Sequence, residues 1–180
     1  MCCVSDRAIC NSVHKSARWT NRYGRRLLVQ SVLFVCLGNI CRSPLAEGVF
    51  RSLVFDAGRS GEFEIDSAGT GAWHIGDPPD PRSIEIAAKY GVDISGQKAR
   101  QVEDADFDRF DTIVAMDRSN LTKLNSWSNG GTAHIRLLLD DPVQEVPDPY
   151  CGGSDSFENV YRLIRAGGQR LLGTLTEQHS

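Results

Sequence analysis

The segment Cys36-Leu-Gly-Asn-Ile-Cys-Arg42-Ser43 sets a thiol and a guanidinium at the two ends of a short loop that contains a glycine and an asparagine. A phosphate dianion needs several convergent donors. A tight loop running into a helix N-terminus supplies them, because its backbone N–H groups point inward with the helix dipole behind them. Gly38 permits a close backbone approach, and Arg42 can grip two phosphate oxygens with its planar fork, a geometry lysine lacks. The same positive environment favours Cys36 as a thiolate, which is a nucleophile at neutral pH. Ser43 can donate to the sulfur and later stabilise it as a leaving group, while Asn39 can fix the loop conformation. An isolated cysteine at a strand end is ordinarily a small buried apolar residue, and the bare spacing is a weak signal. The flanking elements give it weight.

Ser31-Val-Leu-Phe-Val-Cys36 is a continuous apolar run that stops at this loop, the pattern of a strand buried on both faces of a parallel sheet. A helix should follow, with Ser43 as its cap, Pro44 in its first position, and Leu45, Val49, Leu53 and Val54 at helical spacing. The alternation over residues 63–68 predicts a second strand, broken by Gly69, Gly71 and the Pro78-Pro79 pair. Helices are predicted over 81–90, from about 117 to 124, and over 157–175, with further strands over 111–116 and 134–139. Strands alternating with helices imply an α/β single domain: a four-stranded parallel sheet with helices on both faces and a phosphate loop after the first strand. Ligands in such folds bind beyond the carboxyl ends of the strands, where the strand order reverses.

The chain has 180 residues, enough for one respectable core, and a net charge of −3 that conceals an asymmetry. Residues 1–30 carry six basic side chains against Asp6 alone, a net of +5, which leaves −8 for the remainder. Residues 1–30 are therefore expected to be a basic tail, disordered or removable, and residues 31–180 the domain. The tail's Ser/Arg-rich composition also suits an organellar transit peptide; an over-long start is the blander alternative. An acidic domain lacks the broad basic surface that nucleic acid requires, so no nucleic-acid partner is expected. No apolar run approaches the roughly 20 residues of a membrane span, so no membrane insertion is expected either. Three cysteines, Cys36, Cys41 and Cys151, fall in the domain, an odd number that suits free thiols in the cytoplasm.

The loop CLGNICRSPLAE resembles the signature of the low-molecular-weight protein tyrosine phosphatases. The similarity runs over nearly all of residues 32–175, through DSAGTGAWHIGDPPDPRS, QKARQ, DFDRFDTIVAMDRSN and VPDPYCGG. The resemblance implies hydrolysis of phosphotyrosine and small aryl phosphate monoesters, by a monomer that needs no metal or cofactor. Leu37, Gly38, Asn39, Ile40, Cys41, Arg42 and Ser43 would form the phosphate loop, with Cys36 attacking and Arg42 binding phosphoryl oxygens. Asp148, in Asp148-Pro149-Tyr150, would be the general acid, with Asp140 and Asp141 its nearest competitors. Read alone, Asp148 is an ordinary Asp-Pro turn residue. Trp73 and Tyr150 would wall the leaving group, with Leu37 and Ile40 as the floor; Trp73 could equally be a loop aromatic covering the core. Cys41 would be a redox partner, trapping oxidised Cys36 as a disulfide, or else a small side chain packed under the loop.

Two departures from the family pattern stand out. Cys151 occupies the place of a second tyrosine, and Gln97 stands where a histidine is common, which questions any network joining that position to Glu47 and Asn39. Among rivals, thioredoxin-linked arsenate reductases need two further cysteines, and no cysteine lies between Cys41 and Cys151. Protein arginine phosphatases typically have threonine at the position of Ile40. A mere phosphopeptide binder needs neither nucleophile nor acid, and Cys36 and Cys41 lack the second pair a zinc module requires.

Overall fold

The computed structural model describes residues 18–20 and 26–177. Strands β1 (Arg18–Thr20) and β2 (Arg26–Leu28) form a small antiparallel ladder of their own. The organising element is β3 (Gln30–Cys36), which pairs in parallel with β4 (Phe63–Gly69) on one side and β5 (Thr112–Ala115) on the other. Strand β6 (His134–Leu137) pairs in parallel with β5, giving the order β4-β3-β5-β6.

Side chains alternate across β3, so its apolar run feeds two cores. Val32 and Phe34 pack with Leu45, Val49 and Phe50 of α1 (Arg42–Asp56) and with Ile164 and Leu171 of the closing helix. Leu33 and Val35 face the other way, toward Phe107, Phe110 and Leu124. Helices therefore cover both faces, as the apolar pattern predicts. Phe34 and Phe50 meet edge to face at 5.4 Å between ring centres. Burying one such side chain contributes about 1.5–3 kcal/mol.

The chain leaves β3, crosses through α1 to β4, and then returns to place β5 on the opposite side of β3. That reversal opens a crevice at the carboxyl ends of β3 and β5, and the loop from Cys36 to Ser43 lies there. Helix α2 (Pro81–Lys89) follows β4, with Asp80 as its cap and Pro81 in its first position. One-turn α3 (Asp106–Arg109) precedes β5, and α4 (Arg118–Trp127) follows it. A hairpin of β7 (Leu139–Asp140) and β8 (Val143–Gln144) leads to α5 (Ser154–Glu177).

Several boundaries differ from expectation. Helix α1 starts at Arg42, so Ser43 and Pro44 lie one and two residues inside it, and Cys41 holds the cap position with no side-chain cap bond. Ser43 does not cap because its hydroxyl serves the loop instead. Helix α5 begins three residues before Phe157, because its first turn is polar and gives no apolar period. The fourth strand stops at Leu137, where the chain turns into the β7–β8 hairpin. The hairpin and α3 escape the sequence reading, since two-residue strands and a single turn are too short for periodicity. Among the described residues, no helix is long and apolar enough to cross a membrane.

Candidate active site

The loop between β3 and α1 wraps around the Cys36 sulfur. The Asn39 backbone N–H donates to Sγ at 3.3 Å, and the Ser43 hydroxyl lies 3.1 Å from it. Ser43 has one hydroxyl proton and a second acceptor in reach, the Ala68 carbonyl at 3.2 Å. Asn39, rather than Gly38, takes the left-handed backbone conformation, with φ of 54°. An asparagine tolerates that region when its side chain is tied locally. Here its Nδ2 donates to Ser43 and Ser67, both at 2.9 Å, and its Oδ1 accepts from the Arg100 backbone N–H at 2.9 Å. Gly69, at the end of β4, lies so near the loop that a Cβ there would sit 2.9 Å from the Leu37 carbonyl. The loop is thus held from β4 as well as from its own chain.

The network continues inward. Ser67 donates to Glu47 at 2.7 Å, and Arg51 donates to the other Glu47 oxygen at 3.0 Å. Burial pushes the Glu47 carboxyl up, against the opposing pull of Ser67 and Arg51. Asn39 and Glu47 are thus joined through Ser67, with Arg51 as the cationic partner of Glu47. The Gln97 side-chain oxygen is buried and accepts no hydrogen bond, so this residue stands outside the network.

Arg42 is 3% exposed in the first turn of α1, and its fork is fully directed. One terminal nitrogen donates to Asp117 at 2.6 Å and to the Val146 carbonyl at 3.1 Å, while the other donates to Asp148 at 2.9 Å. Burial opposes the charge, but negative Cys36, Asp148 and Asp117 outweigh it and raise the guanidinium's proton affinity. Asp117 also caps α4, accepting from the Asn120 N–H at 2.7 Å. Sequence reasoning missed Asp117. Its position directly after β5, at the same sheet edge as Cys36, was the available signal.

Of Asp140, Asp141 and Asp148, the last is the one beside Arg42 in the cavity lining; its second oxygen accepts from the Tyr150 N–H at 3.2 Å, a local turn that aims the carboxyl. Asp140, in the β7–β8 hairpin, pairs with Arg136 of β6, and Asp141 lies at the hairpin's turn, away from the pocket lining. A cavity of about 350 Å³ opens over the sulfur, lined by Leu37, Ile40, Trp73, His74, Tyr150 and Cys151 along with the loop. Trp73 is 72% exposed and Tyr150 54%, so both rings stand at the rim and neither covers the core. His74, also missed, pairs with Asp77 at 3.0 Å beside Gly38.

Cys41 lies beneath the loop, 5% exposed. Burial first, and then negative Asp80, push its thiol up to about 12. Cys36 and Cys41 are buried free thiols, while Cys151 is exposed. Among the described residues no three His, Cys, Asp or Glu side chains cluster as a metal site would require.

A buried thiol met by a backbone N–H and a hydroxyl, with an arginine fork and a carboxyl beside it at the carboxyl edge of a parallel sheet, defines an α/β domain whose candidate site is the loop after its central strand. Residues 31–180 match the family described as "Low molecular weight phosphotyrosine protein phosphatase", and the chain belongs to that family. It is 46% identical over 153 residues to the low molecular weight protein-tyrosine-phosphatase YfkJ of Bacillus subtilis, covering 82% of this chain and 97% of that one. The crystal structure of YfkJ superposes with a TM-score of 0.79 at 44% identity, covering 84% of this chain and 98% of that chain. A structure described as a Drosophila arginine phosphatase gives a TM-score of 0.75 at 33% identity, covering 80% and 96%.

Proposed function

We propose that the chain is a protein tyrosine phosphatase that passes the phosphoryl group through Cys36. The observation carrying this reading is the convergence of the Asn39 N–H and the Ser43 hydroxyl on one sulfur, with Arg42 and Asp148 at the same cavity. Phosphoryl transfer demands positioning and charge stabilisation more than covalent ingenuity, and the loop supplies both. The Cys36 thiolate attacks phosphorus as the P–O bond to the tyrosyl oxygen breaks, and Asp148 gives that oxygen its proton. Water then attacks the thiophosphate while the Asp148 carboxylate takes a proton from it, and the S–P bond breaks to restore thiolate and release phosphate. Ser43 turns its single proton toward the departing sulfur.

Arg42 and Asp148 are linked in a way that suits this cycle. An incoming dianion competes for the N–H groups that Asp148 accepts from, so the carboxyl trades a guanidinium for a negative neighbour. That exchange favours its acid form when a proton is needed.

Asp148→Asn is expected to lower kcat/KM for phenyl phosphate on the order of 10²-fold, and much less for a dinitrophenyl ester, whose leaving group needs no proton. Equal losses for both esters would remove Asp148 from the acid role. One similar solved structure is described as an arginine phosphatase, so phosphotyrosine and phosphoarginine peptides belong in the same assay. Ile40 gives the floor an apolar character that suits an aryl ring, and phosphotyrosine is the expected preference. The free thiols of the described domain suit a reducing compartment, the cytoplasm.

Oxidation of Cys36 by a hydroperoxide gives a sulfenic acid, and Cys41 can displace water from it to form a disulfide. The attacking species is the thiolate, and Cys41 is held protonated toward about 12. Disulfide formation should therefore be slow at pH 7 and quicken about tenfold per pH unit through pH 9. Mass spectrometry of peroxide-treated protein quenched at each pH tests this; absence of a Cys36–Cys41 bond throughout would discard the redox brake.

A further inference from the structure

Arg82 lies in the first turn of α2, outside the cavity that holds the sulfur. Its Nε and one terminal nitrogen donate to the two oxygens of Asp80 at 3.0 and 2.8 Å. The remaining nitrogen donates to the Tyr150 and Gly152 carbonyls, both at 3.2 Å. These partners engage four of its five N–H donors, so the side chain is a clip and not a free anion ligand. The guanidinium also lies over the Phe157 ring at 4.5 Å and near the Tyr150 ring at 5.8 Å.

Both ends of the clip lead to the chemistry. Asp80 donates its backbone N–H to the Ile40 carbonyl at 2.7 Å, and Ser83 donates to the Cys41 carbonyl at 3.3 Å, so the start of α2 is fastened to the phosphate loop. On the far side, Tyr150 and Gly152 belong to the turn that follows Asp148, closed by the Gly152 N–H on the Pro149 carbonyl at 2.8 Å. Asp148 is 46% exposed and lies two residues beyond the point where its loop is tied to the end of β5, the Val146 N–H donating to the Met116 carbonyl at 2.9 Å. That anchor and Arg42 hold the side before Asp148, and the Arg82 contacts hold the turn after it.

We propose that Arg82, held by Asp80, is a positioning residue that fixes the loop bearing Asp148 and Tyr150 against the phosphate loop, so that acid and nucleophile address one phosphoryl group together. The inference rests on the reading of Asp148 as the acid. Loss of the clip lets the carboxyl drift, and a displacement of about 1 Å is enough to weaken proton transfer severely. Binding of phosphate itself needs Arg42 and the loop amides, and none of the Arg82 donors goes to either.

The test is kcat/KM for dinitrophenyl, p-nitrophenyl and phenyl phosphate with wild type, Arg82→Ala, Arg82→Lys and Asp148→Asn. For Arg82→Ala the loss should grow with leaving-group basicity, from within about twofold for the dinitrophenyl ester to about tenfold for phenyl phosphate. Inhibition by inorganic phosphate should stay within about twofold, and Arg82→Lys, which keeps one donor group, should recover part of the loss. Should Arg82→Ala fail to fold, Arg82→Gln takes its place. A loss that is equal for the three esters, or no loss, overturns the positioning role. Two failures are distinguishable: a flat Asp148→Asn profile rejects the acid itself, whereas a graded Asp148→Asn profile beside a flat Arg82 profile rejects only the clip.

Discussion

Replacing Cys36 by serine is expected to lower p-nitrophenyl phosphate turnover by at least about 10⁴-fold, the scale seen when a nucleophile is removed from an otherwise intact site. A hydroxyl does not ionise near neutral pH, and the donors that surround position 36 have no second nucleophile to activate. The Asn39 N–H and the Ser43 hydroxyl converge on that one atom. Serine has nearly the shape of cysteine, and although Cys36 is buried in the core cluster its sulfur already faces a backbone N–H and a hydroxyl, so stability should change by about 1 kcal/mol or less. Inorganic phosphate should still bind, since Arg42 and the loop amides are retained. The pair of measurements is therefore steady-state turnover and equilibrium phosphate binding. Residual turnover above one part in a hundred would end the covalent mechanism.

Arg42→Lys carries the second large effect, a fall in kcat/KM on the order of 10³-fold despite conservation of charge. The planar fork reaches Asp117 and Val146 with one nitrogen and Asp148 with the other, and it can present two parallel donors to phosphoryl oxygens. A lysine ammonium is a single point. It can satisfy Asp117 or the phosphoryl oxygens, and its flexible stem is not held by a fork. Binding and chemistry should suffer together, raising KM and lowering kcat, because the same oxygens gain charge in the transition state. The substitution also weakens the tie between α1 and the start of α4, with a stability cost of about 1–3 kcal/mol. Thermal melts separate that cost from the kinetic one when assays are run well below the midpoint. An Arg42→Lys enzyme within tenfold of wild type would show that charge alone suffices and that the fork geometry is unnecessary.

Much of this site is written locally. From Cys36 to Ser43 the strand, loop and helix start are contiguous, and the residues that cradle the sulfur are near neighbours in sequence. An apolar run, a glycine and an arginine at a helix start are therefore enough to read the cradle. The same locality makes β3 legible: its last six residues are buried, and a run covered on both faces has few alternatives in an α/β chain. The role of Ser43 shows the limit of that reading. Serine before proline looks like a cap, yet its hydroxyl turns toward the sulfur, Asn39 and Ala68, a choice set by β4 packing beneath the loop.

The amino-acid order by itself determined the loop that cradles the Cys36 sulfur, the alternation of strands and helices, and the family resemblance carried by their motifs. Only the tertiary structure decided which carboxylates meet Arg42, one 75 residues away and another 106, since several aspartates near the chain's end look alike in sequence. It also decided that Ser67 joins Asn39 to Glu47 without Gln97, that Trp73 faces outward, and that Arg82 reaches a turn 68 residues away. The reason is physical: local preference fixes backbone states over a few residues, whereas contacts between side chains on distant segments depend on how the sheet reverses and where each loop is fastened.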